Sequence, residues 1–147
     1  MGILINNRQN RHKIAPKKIK PMIQAILDAL DFPDGELSIL IVDDLEIEKL
    51  NRRYLNREGP TNVIAFPMQE GDFSHISPQL LGDVVVSMDT ARKEAETGGI
   101  HVGERLLELL VHGILHLVGY DHELSEAEAL RMEAKSRELL ALLKNIV

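Results

Sequence analysis

Apolar residues in the first third of the chain change from strand-like to helix-like spacing and back. A short apolar run at 3–6 suits a strand, and apolar positions that recur every three or four residues predict a helix over about 16–30. Residues 36–42, ELSILIV, predict a second strand because aliphatic and β-branched residues dominate them. Asp43 or Asp44 can cap the helix that follows. The apolar positions of that helix are Leu45, Ile47, Leu50 and Tyr54.

The middle of the chain predicts two strands and a helix. The run at 61–66, TNVIAF, suits a strand that the next proline stops, and the run at 80–86 suits another. Residues 68–79 between them are polar and show no clear period, so we expect a loop there. A helix from about 88 to 96 should end at the Gly-Gly pair that follows.

Two further helices are predicted in the last third. The helix over about 102–118 is apolar on most sides past Arg105, so it should be buried, and Gly119 ends it. Ser125 and Glu128 form a capping box that opens a long last helix. The apolar side of this helix uses Leu130, Leu139, Leu140, Leu143 and Ile146.

Strands interleaved with helices predict an α/β sandwich, with a small mixed sheet packed against helices. The chain has 147 residues and shows no repeat, low-complexity tract or linker. We therefore expect a single domain over 1–147.

Composition narrows the class of protein. The chain has no cysteine, which excludes disulfides, thiolate metal sites and cysteine nucleophiles, and this fits a reducing compartment. Its first residues lack the basic lead of a signal peptide, and no apolar run approaches the roughly 20 residues of a membrane span. We expect a cytoplasmic protein.

The charge is acidic overall but unevenly distributed. Net charge is −6, yet residues 1–20 carry six cations and no acid, whereas residues 21–48 carry eight acids and no Lys or Arg. A second basic group, Arg52, Arg53 and Arg57, follows. These groups are either solvated faces or two phosphate-binding patches on an acidic body.

Three of the six histidines stand within eleven residues, HGILHLVGYDH. His112 and His116 are four apart, so on a helix their side chains share one face. Gly119 can turn the chain, and His122 can then swing back to the same metal ion. This arrangement also occurs in the metzincin zinc proteases. Three neutral ligands with an open fourth position indicate a catalytic site. Zinc fits best, while nickel, iron and copper also accept imidazole.

Gly113 separates this site from the zinc proteases. Those enzymes place a glutamate, the general base, directly after the first histidine. Without it, the metal ion would keep its full positive charge toward the substrate, which favours a phosphodiester over a peptide.

Two carboxylates are candidates for supporting the site. Asp121, next to the third histidine, can orient a ligand tautomer or a water molecule, or can cap a helix end. Asp83, in an apolar strand, must be paired if buried, and can hold a ligand histidine or cap a helix. His101 and His75 have no spacing that links them to the metal, so we interpret them as a helix-start and a loop residue.

At these residues the chain resembles the YbeY endoribonucleases. The family signature HGxLHLxGYDH stands here as HGILHLVGYDH, with every fixed position matched. The signature PT(D/N)VLSFP resembles PTNVIAFP at 60–67, and LGD followed by an apolar strand resembles residues 81–86.

The resemblance implies a single-strand-specific endoribonuclease that binds one zinc ion through His112, His116 and His122. It implies maturation of ribosomal RNA, notably at the 3′ end of the small-subunit RNA, and ribosome quality control. The implied partners are single-stranded ribosomal RNA, the small ribosomal subunit and its assembly factors, with no membrane and no DNA. The implied fold is an α/β sandwich with the metal at the end of a cleft.

Two positions depart from the family pattern. The family usually has an arginine directly after the aromatic residue at Tyr54, where this chain has Leu55, and Ala65 replaces a serine. Because that arginine is thought to serve substrate phosphate, we hypothesise that Arg57, or less readily Arg53, takes its place.

Three functions remain open at this point. Metal-dependent RNA hydrolysis is favoured, by attack of either metal-activated water or a ribose 2′-hydroxyl on phosphorus. A metalloprotease or amidase is disfavoured because the glutamate is missing. A ribosome-assembly factor with a structural metal is the third, and it would lose fold stability on chelation.

Overall fold

The computed structural model describes residues 2–68 and 79–144. The strands are β1 (Ile3–Asn7), β2 (Glu36–Val42), β3 (Val63–Pro67) and β4 (Leu80–Ser87). The helices are α1 (Pro16–Ala29), α2 (Asp44–Leu55), α3 (Met88–Gly98), α4 (Val102–Leu117) and α5 (Glu126–Lys144). Among these helices, none is both long enough and apolar enough to cross a membrane.

The four strands form one mixed sheet in the order β1-β2-β4-β3. β1, β2 and β4 are parallel, and β3 runs antiparallel to β4. The central strands β2 and β4 bury side chains on both faces, as expected for strands covered on both sides by helices, whereas most of the edge strand β1 is exposed. The predicted α/β sandwich with a small mixed sheet is confirmed.

Alternate side chains of β4 enter two different apolar clusters. Val84 and Val86 belong to the larger cluster, which α1, α4 and α5 cover. Val85 belongs to a smaller cluster with Ile47 of α2 and Ile64 of β3. Because successive side chains of a strand point to opposite faces, α4 and α2 lie on opposite faces of the sheet.

Gly113 lets α4 approach the sheet closely. A Cβ atom built on this residue would lie 2.6 Å from Cγ1 of Val84 and 3.3 Å from Cγ2 of Val63. The first distance is far below an ordinary contact, so the helix could not sit here with a larger residue. This packing fixes the helix that carries His112 and His116 over the β3–β4 pair.

Most predicted helix ends are confirmed. Asp43 caps α2, since its Oδ1 accepts from the Glu46 N–H at 2.8 Å. Gly99 ends α3 with a φ of +68°, and Gly119 follows α4 with a φ of +103°. Ser125 Oγ accepts from the Glu128 N–H at 3.0 Å, which is the predicted cap of α5.

Three predicted inward-facing positions are wrong. Leu45, Tyr54 and Leu130 are 63%, 57% and 61% exposed. On α2 the inner face is narrower than the apolar pattern suggests, because the buried Asn51 occupies it and donates to the Gly59 carbonyl at 3.0 Å. The predictions for Ile146 and His75, and most of the predicted 68–79 loop, lie outside the described residues.

Candidate metal centre

Three histidines converge where α4 ends. His112 and His116 lie one turn apart on α4, and their Nε2 atoms are 3.2 Å apart. His122 lies beyond the turn, with its ring centroid 5.3 Å from each of the other two rings. The potential ligand atoms of all three lie within 4.8 Å of one another. The predicted set is therefore brought together by the fold.

The turn after α4 explains how His122 returns to the helix. The Gly119 N–H donates to the His116 carbonyl at 3.2 Å, and the Tyr120 N–H donates to the Leu115 carbonyl at 3.0 Å. This pair of bonds is a Schellman motif, which needs the left-handed backbone that Gly119 adopts. The glycine thus reverses the chain and places the third ligand.

The surroundings keep two of the imidazoles neutral. Burial, followed by the charges of His116, His122 and Arg105, lowers the pKa of His112 to about 4. Burial and His122 also lower the pKa of His116, although Asp121 and a hydrogen bond to the Tyr120 backbone oppose this. Neutral imidazoles carry the lone pairs that bind a metal cation, so the site is suited to one at neutral pH.

The donor set fits a divalent metal ion of the zinc type. It consists of three imidazoles, two half-buried and one exposed, which leaves a side open to solvent. Within the described residues no carboxylate or thiolate joins the group. Three neutral nitrogen ligands with an open position match a catalytic metal site, whereas closed four-ligand sites are structural.

Comparison with known proteins decides the family. The family described as endoribonuclease YbeY matches residues 4–144. The chain is 54% identical to the endoribonuclease YbeY of Geobacter sulfurreducens, over 99% of this chain and 97% of that protein. It is 53% identical to that of Geobacter metallireducens, over 98% and 97% of the two chains. The chain belongs to the endoribonuclease YbeY family.

A solved structure agrees with this assignment. The solution structure of a Thermotoga maritima protein superimposes with a TM-score of 0.69 at 25% identity, covering 94% of this chain and 86% of that one. The resemblance to YbeY endoribonucleases found in the sequence is therefore confirmed. Its histidine signature forms the end of α4 and the following turn, and its other two signatures run along β3 and β4.

Asp121 lies in the turn beside the histidines. This position suits both of its predicted roles, orienting a ligand and capping a helix end. Its Oδ1 accepts from the Glu123 N–H at 2.9 Å, which is a turn-stabilising bond. Its charge also acts on His116, where it raises the pKa against the larger effects of burial and His122. The residue therefore holds the turn, and its charge acts on a ligand, while its catalytic role stays a prediction.

Asp83 is not brought to the histidines. Its side chain accepts a hydrogen bond from the Ser38 hydroxyl on the neighbouring strand. It pairs in register with Phe66, whose ring contacts Tyr54 of α2, so it lies on the sheet face opposite α4. The structure shows neither the predicted contact with a ligand histidine nor a helix cap, and a catalytic role for Asp83 stays a prediction.

Each basic group contains cations that are paired with carboxylates and cations that are not. In the first group, Arg8 pairs with Glu46 at 3.0 Å and Arg11 pairs with Asp89 at 3.5 Å. In the second, Arg57 follows the left-handed Asn56 that ends α2, and its side chain is exposed. Within residues 2–68 and 79–144, no carboxylate forms a salt bridge with Arg57.

One functional neighbour was missed from the sequence. Arg105 of α4 donates to Glu94 at 3.0 Å and to Glu108 at 2.9 Å, and Asn62 donates to the same Glu94 at 3.2 Å. Asn62, Arg105 and Glu108 border a cavity of about 300 Å³ that reaches His112. The carboxylates balance the charge of Arg105 beside the metal centre. No spacing in the sequence signals this network, because its members come from α3, α4 and the segment before β3.

Proposed function

We propose that this chain is a zinc-dependent, single-strand-specific endoribonuclease that acts in the cytoplasm. Its substrate is ribosomal RNA, notably the 3′ end of the small-subunit RNA, and its role includes ribosome quality control. Its partners are then the small ribosomal subunit and its assembly factors. The observation that carries the proposal is the cluster of three histidines in a chain of the endoribonuclease YbeY family.

The packing of Gly113 supports RNA over peptide as the substrate. The glutamate that zinc proteases place at this position has no room here, because even a Cβ atom would lie 2.6 Å from Val84. Within the described residues the ligand group contains no carboxylate, so the centre stays cationic toward its substrate. A phosphodiester, which is anionic, is matched to such a centre.

The residues of the chain have separable parts in catalysis. His112, His116 and His122 hold the ion, which when bound supplies Lewis-acid chemistry that polarises water and phosphoryl oxygens. Asp121 holds the turn that carries His122, and its charge raises the pKa of His116 against the larger effect of burial. Arg57 is exposed and is proposed to contact substrate phosphate in place of the family arginine that Leu55 replaces.

The test of the proposal measures metal content and cleavage together. Wild-type protein should bind one zinc ion per chain and cut single-stranded ribosomal RNA, and His116→Ala should lose both properties. His101→Ala is the matched control, because His101 is an exposed histidine at the other end of α4. Equal cleavage by wild type and His116→Ala would indicate a contaminating nuclease and overturn the proposal.

The part of Arg57 has its own test. Arg57→Ala should weaken RNA binding and reduce the slope of log affinity against log salt by about 0.7, the value for one contact to a single strand. Arg92→Ala serves as the control, since this exposed arginine of α3 already pairs with Glu96 at 3.4 Å. An unchanged salt slope in Arg57→Ala would remove Arg57 from the phosphate-binding set.

A further inference from the structure

The end of α2 carries an exposed aromatic side chain. Residues 52–58 are all exposed, and Tyr54 within them is 57% exposed. Among the aromatic residues that the structure describes, Tyr54 alone falls in the exposed class. Leu45 at the other end of the helix is also exposed, at 63%, whereas Ile47 of the same helix is fully buried.

The Tyr54 ring is held from two sides. The rings of Tyr54 and Phe66 meet edge to face, with centroids 5.7 Å apart and planes at 76°. The guanidinium of Arg53 lies 5.4 Å from the Tyr54 centroid, within the range of a cation–π contact. We call these three residues the Tyr54 platform. Two neighbours fix the ring in place, while more than half of the side chain stays open to solvent.

The charge around the platform suits a polyanion. Arg52 pairs with Glu48 at 3.2 Å, whereas Arg53 and Arg57 form no salt bridge with any residue that the structure describes. The acidic residues of α2 stand in its first half, so the platform lies at the cationic end of the helix. A planar ring beside unpaired arginines is the combination with which proteins bind single-stranded nucleic acid.

The platform and the metal centre are linked by one strand. Val63 and Ala65 of β3 pack against the cluster that includes α4, whereas Ile64 and Phe66 pack against the cluster that includes α2. Val63 is close to Gly113, the residue next to His112, and Phe66 contacts Tyr54. The Tyr54 platform and the metal centre therefore lie on opposite faces of the five-residue strand β3.

We propose that the Tyr54 platform stacks an unpaired base of the single-stranded RNA substrate while Arg53 and Arg57 contact its phosphates. This inference rests on the proposed endoribonuclease function. Stacking accepts every base but needs one that is not already stacked in a duplex. The platform would thus favour single strands without reading sequence. It would bind a part of the RNA other than the phosphodiester that is cleaved at the metal centre.

The test uses steady-state cleavage by the zinc-loaded protein. Tyr54→Leu keeps an apolar contact with Phe66 but removes the ring face, and it should raise KM by about 5- to 150-fold with kcat unchanged. Tyr54→Phe keeps the ring and should retain the wild-type KM. Leu45→Ala is the matched control, because Leu45 is an exposed apolar residue at the far end of the same helix.

A substrate series identifies stacking as the cause. Replacing single nucleotides by abasic sugars should raise KM of the wild type at one position and should have no further effect there in Tyr54→Leu. Equal abasic penalties in both proteins at every position, or a wild-type KM for Tyr54→Leu, would overturn the inference. Urea unfolding of each variant should match the wild type, because the substituted side chain is exposed.

The outcomes separate this inference from the proposed function. If the wild type cleaves RNA and Tyr54→Leu behaves like it, the platform is rejected and the endoribonuclease stands. If the wild type cleaves no RNA, the endoribonuclease is rejected, and the platform is then judged on affinity for the same oligonucleotides by fluorescence anisotropy. Weaker binding by Tyr54→Leu but not by Leu45→Ala would support it, and equal binding would reject it.

Discussion

The histidine centre and the network around Asp44 are both clusters of titratable groups, but they are built in opposite ways. In the Asp44 network, the Asp44 carboxylate accepts from the Ser87 and Thr90 hydroxyls at 2.6 and 2.5 Å and from Lys93 at 3.0 Å. In the histidine centre, each ring lies next to the other two imidazoles. The Asp44 carboxylate is thus satisfied by hydrogen-bond donors of the chain. The imidazoles of the histidine centre have lone pairs that can bind a metal ion.

The pKa directions show the same contrast. Burial would raise the pKa of Asp44, but hydrogen bonds from Ser87, Thr90 and Lys93 outweigh it and lower that pKa. Burial lowers the pKa of His112 to about 4, and the neighbouring histidines act in the same direction. The carboxylate is stabilised in its charged form by the fold. The imidazole is kept neutral, which is the state in which it binds a metal cation.

Removing one metal ligand should have the largest effect. It should weaken zinc binding without lowering the stability of the metal-free protein. His122→Ala should weaken zinc binding by more than about 100-fold, because the effect of losing a ligand exceeds that of losing a residue that orients one. His122 is exposed, so the free energy of unfolding of the metal-free protein should change by less than about 0.5 kcal/mol. Zinc titration and urea unfolding of the metal-free variant measure the two quantities. A large loss of metal-free stability would assign His122 a structural role.

Removing the Asp44 carboxylate should have the reverse effect. Asp44→Ala should lower the free energy of unfolding by about 3 kcal/mol, since it leaves the fully buried Ser87 hydroxyl without its acceptor. Zinc stoichiometry of the folded variant should stay at the wild-type value. Loss of zinc binding at a temperature where Asp44→Ala is folded would show that the two clusters are coupled.

The Asp44 network also predicts how stability depends on pH. The pKa of Asp44 is lower in the folded chain than in the unfolded chain, so its contribution is present above the unfolded value and is lost as pH falls through the folded value. The stability difference between wild type and Asp44→Ala should therefore shrink as pH falls below about 4. Acid unfolding curves with a constant difference through this range would show that the Asp44 charge contributes nothing to stability.

Disturbing the close packing of α4 at Gly113 should have a smaller effect on the free energy of unfolding. Gly113 is adjacent to the metal ligand His112. Gly113→Ala should lower the free energy of unfolding by about 2 kcal/mol, because the added methyl group must displace Val84 or the helix. Gly103→Ala is the matched control on the same helix, since nothing lies within 4 Å of its Cβ position. This control should be neutral or stabilising by up to about 1 kcal/mol. Equal unfolding midpoints for the two variants would contradict the close approach.

The metal ligands could be predicted from the sequence because their geometry is local. A helical spacing of four residues and one glycine turn determine where the His112, His116 and His122 side chains meet. The helix caps at Asp43 and Ser125 were predictable for the same reason, since each cap involves neighbours in sequence. The strand segments and the mixed sheet followed from alternation of helices and strands.

Contacts between distant segments could not be predicted in this way. The Ser38–Asp83 hydrogen bond and the Ser87–Asp44 hydrogen bond both depend on the pairing of β2 with β4. The spacing of residues along the chain does not predict this strand order. On α2 the polar Asn51 is buried and the aromatic Tyr54 is exposed, which an apolar pattern does not reveal. Residues whose neighbours are remote in sequence therefore need the structure before a role can be argued.

Asp121 gives the smallest effect, and it distinguishes a group that orients a ligand from one that holds a turn. Asp121→Asn keeps an oxygen that can accept from the Glu123 N–H but removes the charge that acts on His116. We expect zinc affinity about 10-fold below the wild type with an unchanged unfolding midpoint, because a neutral amide holds the turn but polarises the imidazole less. Asp121→Ala removes both properties and should lower affinity further by loosening the turn that carries His122. If Asp121→Asn binds zinc like the wild type while Asp121→Ala does not, the charge has no part in the site, and the histidine centre depends on Asp121 for its backbone geometry alone.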